Sequence, residues 1–193
     1  MGNMFPKIPE EHSNNREYSN ADILSLVLHK IRNKKCKIDS VKILIERLPV
    51  AVLLDLRENQ KPVAKKFLEE AVKKTGQPIP ENGTLLLCTG HHERTFPSAA
   101  YSTDNPGVNV EATKWIAEQG FVHFGIDSMR PGPIGDVNSL VHKICHEVNI
   151  THLESLCNLE KLIGRGEFTF ICLPLAWRGG TGSPVRAVAV FDM

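Results

Sequence analysis

The chain has 193 residues and 41% hydrophobic residues, which is enough for one cored domain with an appendage and excludes wholesale disorder. Its formal net charge is +1 with acidic and basic residues interspersed, so we expect neither a nucleic-acid partner nor an anionic membrane. No apolar run is long enough to span a membrane, and the polar N-terminus lacks the apolar core of a signal peptide. The five cysteines show no paired spacing and predict reduced thiols, hence a cytoplasmic location.

The chain begins with two segments that differ from the rest. Residues 1–19 are polar and interrupted by prolines, which predicts a flexible arm. Within residues 20–38, Asn20 is suited to cap an amphipathic helix over 21–32, because Ile23, Val27 and Ile31 recur at every fourth position. A basic linker follows that helix. We place the main domain at residues 39–193.

The main domain predicts strands that alternate with helices. Three continuous apolar runs predict strands buried on both faces, at 48–56, 84–90 and 121–127. Predicted helices run from about Pro62 to Thr75 and from Val110 to Gln119, and a third carries His142. Two further strands are expected at 167–175 and 185–191. This order predicts an α/β fold with a mixed sheet.

The spacing between His142 and Glu154 would allow these two potential metal ligands to meet from different secondary-structure elements. Twelve residues apart, they cannot face each other on one helix. A helix carrying His142, a turn at Asn149 and a short extended run over 150–153 would instead bring the two side chains together. From this spacing alone, an unrelated surface histidine and surface glutamate are the more common arrangement.

Other motifs are weaker. In the segment TGHHER (89–94), adjacent histidines usually point in opposite directions, so at most one of His91 and His92 is expected in a site. The glycine-rich segment GGTGSP (179–184) lacks the Lys-Ser/Thr of a phosphate loop and predicts a tight β connection. No Gly-x-Ser-x-Gly elbow occurs, which leaves a serine hydrolase without its nucleophile.

An ordered series of landmarks runs from about residue 39 to 191. It comprises LPVAVLLDL, LLLCTG, PGVNVEATKWIAEQG, GIDS, the His142 to Glu154 spacing with LCNLEKL, and LPLAWRGGTGSPVRAVAV. The series resembles the cyclase family of metal-dependent hydrolases, which includes bacterial kynurenine formamidases and isatin hydrolase. The resemblance implies a compact domain of the swivelling β/β/α-like type that assembles as homodimers or larger homo-oligomers.

The resemblance also implies a chemistry. The residue matching His142 binds one of two ions, zinc or manganese, and the residue matching Glu154 bridges both. Two such ions can polarise a carbonyl and generate hydroxide, as required to hydrolyse a small aromatic amide such as N-formylkynurenine in tryptophan catabolism. Thr89, Gly90 and His91 stand where the family has Thr-Gly-Trp, and with Asp127 and Ser128 they are our candidates for the pocket lining.

The chain departs from the family upstream of residue 39. A family cassette of the form His-x-Gly-Thr-His-x-Asp-x-Pro-x-His has no counterpart, because only His12 and His29 precede residue 39. The family's N-terminal strands also have no evident match, and catalytic residues remain unassigned. Three explanations compete: a degenerate member used for binding or assembly, a fragment of an active parent, or ligands recruited from His12, His91, His92 or a partner subunit.

Overall fold

The computed structural model describes residues 50–59, 61–174 and 182–191. Predictions for the arm, the first helix, the missing N-terminal strands and the first half of the glycine-rich segment therefore lie outside the described residues. The chain divides into two compact units. Described residues of the larger unit lie within 50–170 and 189–191, and those of the smaller unit within 171–174 and 182–188.

Among the residues that the structure describes, six strands form one sheet in the order β4-β3-β2-β1-β5-β6. Their bounds are β1 Val50–Asp55, β2 Thr84–Cys88, β3 His123–Ile126, β4 Thr151–Leu153, β5 Phe168–Pro174 and β6 Val185–Val190. Strands β1 to β4 are mutually parallel, whereas β5 runs antiparallel to β1. The predicted α/β fold with a mixed sheet is confirmed. At its C-terminal end the sequence changes from strands that alternate with helices to two predicted strands in succession. This pattern is typical of antiparallel pairing.

Five α-helices lie among the described residues. Their bounds are α1 Lys65–Thr75, α2 His91–Thr95, α3 Ala100–Thr103, α4 Val110–Glu118 and α5 Asp136–Glu147, and a 3₁₀ turn covers Leu159–Leu162. Gly76 ends α1 in the left-handed conformation, and the Asn109 side chain caps α4 by accepting from the Ala112 amide. None of these helices is both long and apolar enough to cross a bilayer.

Two predictions about helices were wrong. The helix expected from Pro62 begins at Lys65. Val63 forms a parallel bridge with Val108, and its amide donates a hydrogen bond to the Gly107 carbonyl, so the chain is extended at this point. The connection from 90 to 107, expected as a loop, contains α2 and α3. Both helices are too short to show apolar residues repeating at the helical period, so the sequence pattern does not predict them.

The core of the larger unit lies where α1, α4 and α5 pack on the parallel strands. Leu54, Leu85, Phe124 and Ile126 contribute from the sheet and Ile116 from α4, and all five are fully buried. Strands β2 and β3 are buried along their whole length, as their continuous apolar sequences predict. The rigid sheet therefore fixes the positions of the residues that follow each strand.

Gly107 is the glycine whose replacement we expect to disturb the fold most. Its φ is +51°, and an added Cβ would lie 2.1 Å from the backbone carbonyl carbon of Gly132. We expect Gly107→Ala to lower the free energy of unfolding by about 2–5 kcal/mol, from left-handed strain together with a backbone clash. Urea denaturation measures the effect. Gly120→Ala is the matched control, since φ there is +81° but nothing lies within 4 Å, and it should cost only about 1–2 kcal/mol.

His123, at the start of β3, is expected to make stability fall in acid. The ring is buried and its Nδ1 atom has no hydrogen-bond partner, and burial lowers its pKa below the ordinary value of 6.5. The unfolded chain then binds a proton that the folded chain resists, so stability is retained above pH 6.5 and lost as pH falls below it. His123→Gln should show a smaller loss in free energy of unfolding between pH 7.5 and pH 5, whereas the exposed His146→Gln should match the parent chain.

Candidate metal centre

Helix α5 positions His142. Val141 and Cys145, one turn apart, bury the inner face of the helix, so His142 lies at the border between core and solvent. The helix ends at Glu147, and Asn149 turns the chain in the left-handed conformation with φ +58°. The Ile150 amide then donates to the Cys145 carbonyl at 2.8 Å, which directs the chain back along the sheet.

Strand β4 positions His152 and leads directly into Glu154. It pairs in parallel with β3, and His152 lies opposite Phe124, whose ring centroid is 6.0 Å away. Side chains alternate along a strand, so Leu153 points into the core while His152 and Glu154 share the other face. The strand thus places two metal-binding side chain types next to each other.

The three side chains converge. Glu154 Oε1 lies 3.8 Å from His142 Nε2 and 3.2 Å from His152 Nε2. The two imidazole rings meet edge to face with centroids 4.6 Å apart, and one ligand atom from each residue lies within 4.8 Å of the others. The side chains are 42%, 22% and 34% exposed for His142, His152 and Glu154, so the group is open on one side.

The surroundings favour the neutral form of His142. Partial burial and the neighbouring His152 both lower the pKa of the His142 ring, and the Glu154 carboxylate opposes them. A neutral imidazole is the form that binds a metal ion.

A buried hydrogen-bond network lies at the carboxyl ends of β2 and β3. The carboxylate of Asp127 accepts from the Thr89 hydroxyl at 2.5 Å, the Thr89 amide at 3.1 Å and the His91 amide at 3.0 Å. The Ser128 hydroxyl donates to the Arg130 carbonyl at 2.8 Å, and the Ser128 carbonyl accepts from the Ser155 amide at 2.8 Å. These bonds tie the segment after Glu154 to the ends of the central strands.

Comparison with known proteins identifies the family. Residues 27–133, more than half of the chain, match the family model described as putative cyclase. The chain belongs to the putative cyclase family.

Named relatives of this cyclase-family chain are hydrolases. It is 30% identical to a kynurenine formamidase of Bacillus mycoides over 106 residues, which is 54% of this chain and 47% of the relative. It is 32% identical to an isatin hydrolase of Roseibium aggregatum over 90 residues, 45% of this chain and 34% of that protein. The chain therefore spans about half the length of the kynurenine formamidase and a third of the isatin hydrolase.

Solved structures share the fold. A crystal structure of an isatin hydrolase bound to the product analogue thioisatinate superposes with a TM-score of 0.66 and 22% identity, covering 77% of this chain and 62% of that one. The structure of a potential metal-dependent hydrolase with cyclase activity gives a TM-score of 0.60 and 16% identity, covering 80% and 70%. At these identities the likeness establishes the fold of the cyclase-family chain.

The donor set of the cyclase-family chain fits a divalent cation of the zinc class. Two imidazoles and a carboxylate are ligands that zinc and manganese accept. Ligand atoms at about 2.0–2.1 Å from one tetrahedral zinc lie about 3.3 Å from each other. Separations of 3.2 and 3.8 Å in the group are close to that spacing. Across the described residues, this is the one cluster of three or more such side chains.

The pocket candidates do not join the group. The His91 ring is fully buried, and its Nε2 atom lies 2.9 Å from the Tyr101 carbonyl, so it is not a ligand in this structure. Gly90 precedes α2 as its N-cap residue with φ +69°, and a Cβ there would lie 2.5 Å from Arg94 Nη1. Asp55, another residue ending a strand, forms a two-point ion pair with Arg57 instead. His12 lies outside the described residues.

Two residues of this region were missed from the sequence. His152 shares a strand face with Glu154, and the pattern His-x-Glu in a predicted extended run is the signal that would have found it. Tyr101 stacks on His91 at 5.3 Å and meets His92 and Phe96 edge to face. Its hydroxyl is buried and makes no hydrogen bond of ordinary geometry. Burial raises the pKa of the Tyr101 phenol, and the nearby Ser155 side chain lowers it by a smaller amount. No sequence pattern identifies that hydroxyl.

Proposed function

We propose that the chain is a metal-dependent hydrolase of the putative cyclase family that cleaves the amide bond of a small aromatic amide, as a kynurenine formamidase does. The convergence of His142 and Glu154 carries this proposal. The resemblance assigns metal binding to these two positions, and the two residues come from separate elements, twelve positions apart, to meet at a partly open site. The names of the relatives supply the reaction class.

The cofactor of this proposal is zinc or manganese, held by His142 and Glu154 with His152 beside them. Such an ion supplies a Lewis acid for a carbonyl and lowers the pKa of bound water. The open side of the group leaves room for a substrate carbonyl to approach.

Other residues of the chain would orient the substrate. The Asp127 network holds the backbone of Thr89 and His91 in place, so the wall formed by α2 is rigid. Tyr101 lies in α3 and its ring stacks on His91 of α2. Burial is the main cause that raises the pKa of its phenol, and the Glu154 carboxylate adds a smaller effect in the same direction. The exposed ring of Phe96, which meets Tyr101 edge to face, offers an aromatic surface to the substrate.

The proposed setting is a cytoplasmic homodimer or larger homo-oligomer. Four cysteines among the described residues are free thiols, which is the state that a reducing compartment maintains.

Hydrolysis of N-formylkynurenine tests the proposed function. The full chain, stripped of metal with a chelator and then supplied with zinc or manganese, is expected to release formate and kynurenine. The reaction should stop when the chelator is restored, because a chelator outcompetes the few side chains that hold the ion. Turnover that continues in excess chelator would contradict metal dependence, and no turnover with metal bound would contradict the amide hydrolase.

Ligand binding without hydrolysis is the second candidate. The observation that favours it is the absence, among the described residues, of a further histidine adjoining the group to move a proton. Zinc loading together with binding of kynurenine, but no turnover of N-formylkynurenine, would distinguish a binding protein from an enzyme.

A further inference from the structure

We propose that His152 is a metal ligand in its own right, so that His142, His152 and Glu154 together hold one divalent cation of the zinc class per chain. The inference rests on the proposed metal-dependent function and deepens it. It differs from what the resemblance implies, which is a site of two ions with most ligands supplied upstream of residue 39.

His152 is held more firmly than His142. It lies within β4, whose backbone pairs with β3, and its register places it opposite Phe124. Its side chain is 22% exposed against 42% for His142, and its Nε2 atom is the closer of the two to Glu154 Oε1, at 3.2 Å against 3.8 Å. Helices and strands hold ligands more precisely than loops do, so His152 on β4 and His142 on α5 are both suited to a site that is in place before the ion arrives.

The polar contacts of the two rings point to a shared cation. Within the described part of the chain, both imidazoles approach the same carboxylate oxygen, at 3.8 and 3.2 Å, and neither ring forms a hydrogen bond to another residue. Edge-to-face packing keeps the rings 4.6 Å apart and brings both Nε2 atoms to the same oxygen. One ion placed among the three atoms would be bound by all three, since two imidazole nitrogens and a carboxylate oxygen are all ligands that zinc accepts.

The number of ligands sets the stoichiometry. Three protein ligands suffice for a catalytic zinc and leave a position for water or substrate. Three ligand atoms that surround one point hold one ion, and the described residues offer no second cluster. An ion bound in this way requires no ligand from residues 1–49.

Zinc titration of the metal-free full chain tests the inference. Isothermal titration calorimetry should give one zinc per chain, and cobalt(II) substitution should give the visible absorption of a low-symmetry site with nitrogen ligands. His152→Ala is expected to weaken zinc binding by at least about 100-fold, the upper range for losing even an outer partner of a metal ligand. His152→Gln guards against a folding artefact, and both variants should melt at the parent temperature without metal.

His146→Ala is the matched control. His146 lies on the same helix as His142 but is exposed and outside the group, so zinc affinity should not change. Zinc binding that His142→Ala removes and His152→Ala leaves intact would overturn the inference while the proposed function stands. Two zinc ions per chain would overturn it as well, and no zinc at all would overturn both. If the chain binds one zinc ion, the binding depends on His152 and no hydrolysis is seen, the inference would stand and the proposed hydrolase activity would be wrong.

Discussion

Glu154→Gln is expected to remove metal-dependent hydrolysis, lowering kcat/KM for N-formylkynurenine by more than about 100-fold, beyond the loss caused by an outer partner of a ligand. Glu154 Oε1 is the atom that both imidazoles approach, at 3.8 and 3.2 Å. An amide oxygen has the same size as the carboxylate oxygen but lacks its charge, so zinc affinity should fall with activity. The side chain is 34% exposed, so the fold should tolerate the change. Steady-state kinetics and elemental analysis of the same preparation measure both quantities.

A glutamate on α5 provides the control. Glu147 is exposed and lies 3.8 Å from Lys143 in an ion pair one turn apart. Glu147→Gln should leave kcat/KM and zinc content unchanged, because an exposed pair of this kind contributes about 0.3–0.5 kcal/mol. If Glu154→Gln kept its zinc and its turnover, Glu154 would not be a ligand and the proposed site would be wrong.

Asp127→Ala is expected to lower the free energy of unfolding by about 3–5 kcal/mol. Asp127 is only 3% exposed, and its carboxylate accepts from two backbone amides and the Thr89 hydroxyl. Alanine would leave the Thr89 amide and hydroxyl buried without this acceptor, and the His91 amide with only its 3.2 Å bond to the Thr89 hydroxyl oxygen, at the point where β2 and β3 end. Urea denaturation monitored by circular dichroism measures the change, with the midpoint and slope compared to the parent chain.

Asp104 is the comparison for that measurement. It forms an exposed ion pair with Lys61 at 2.5 Å, with side chains 60% and 39% exposed. Asp104→Ala should change the free energy of unfolding by less than about 1 kcal/mol. Equal, small losses for the two variants would show that the buried network contributes no more than a surface pair.

Much of the fold could be predicted because its signals are local. Strands β1, β2 and β3 are short apolar runs that must be buried on both faces, and each was located within two or three residues. Gly76 and Asn109 mark helix ends through their own backbone and side chain chemistry. The start of α1 was misplaced because Val63 is held by Val108, a residue 45 positions later, and no local pattern reports such a bridge.

The candidate site was also predicted only in part. The spacing between His142 and Glu154, with a turn at Asn149, predicted that the two residues meet, and they lie 3.8 Å apart. His152 was passed over, because whether its ring faces solvent or Glu154 depends on how β4 pairs with β3. Likewise, nothing near His91 in the sequence indicates that its ring is buried against Tyr101.

The sequence by itself determined the family, the α/β class with its mixed sheet and the pair of residues that begins the metal site, because each depends on residue type and short spacing. Only the tertiary structure decided the third member of the group, the burial of His91 and the acceptors that Asp127 satisfies. The physical reason is that side-chain direction and burial depend on which strands become neighbours. Strand pairing is set by contacts between residues far apart in the chain, such as His123 with Thr151.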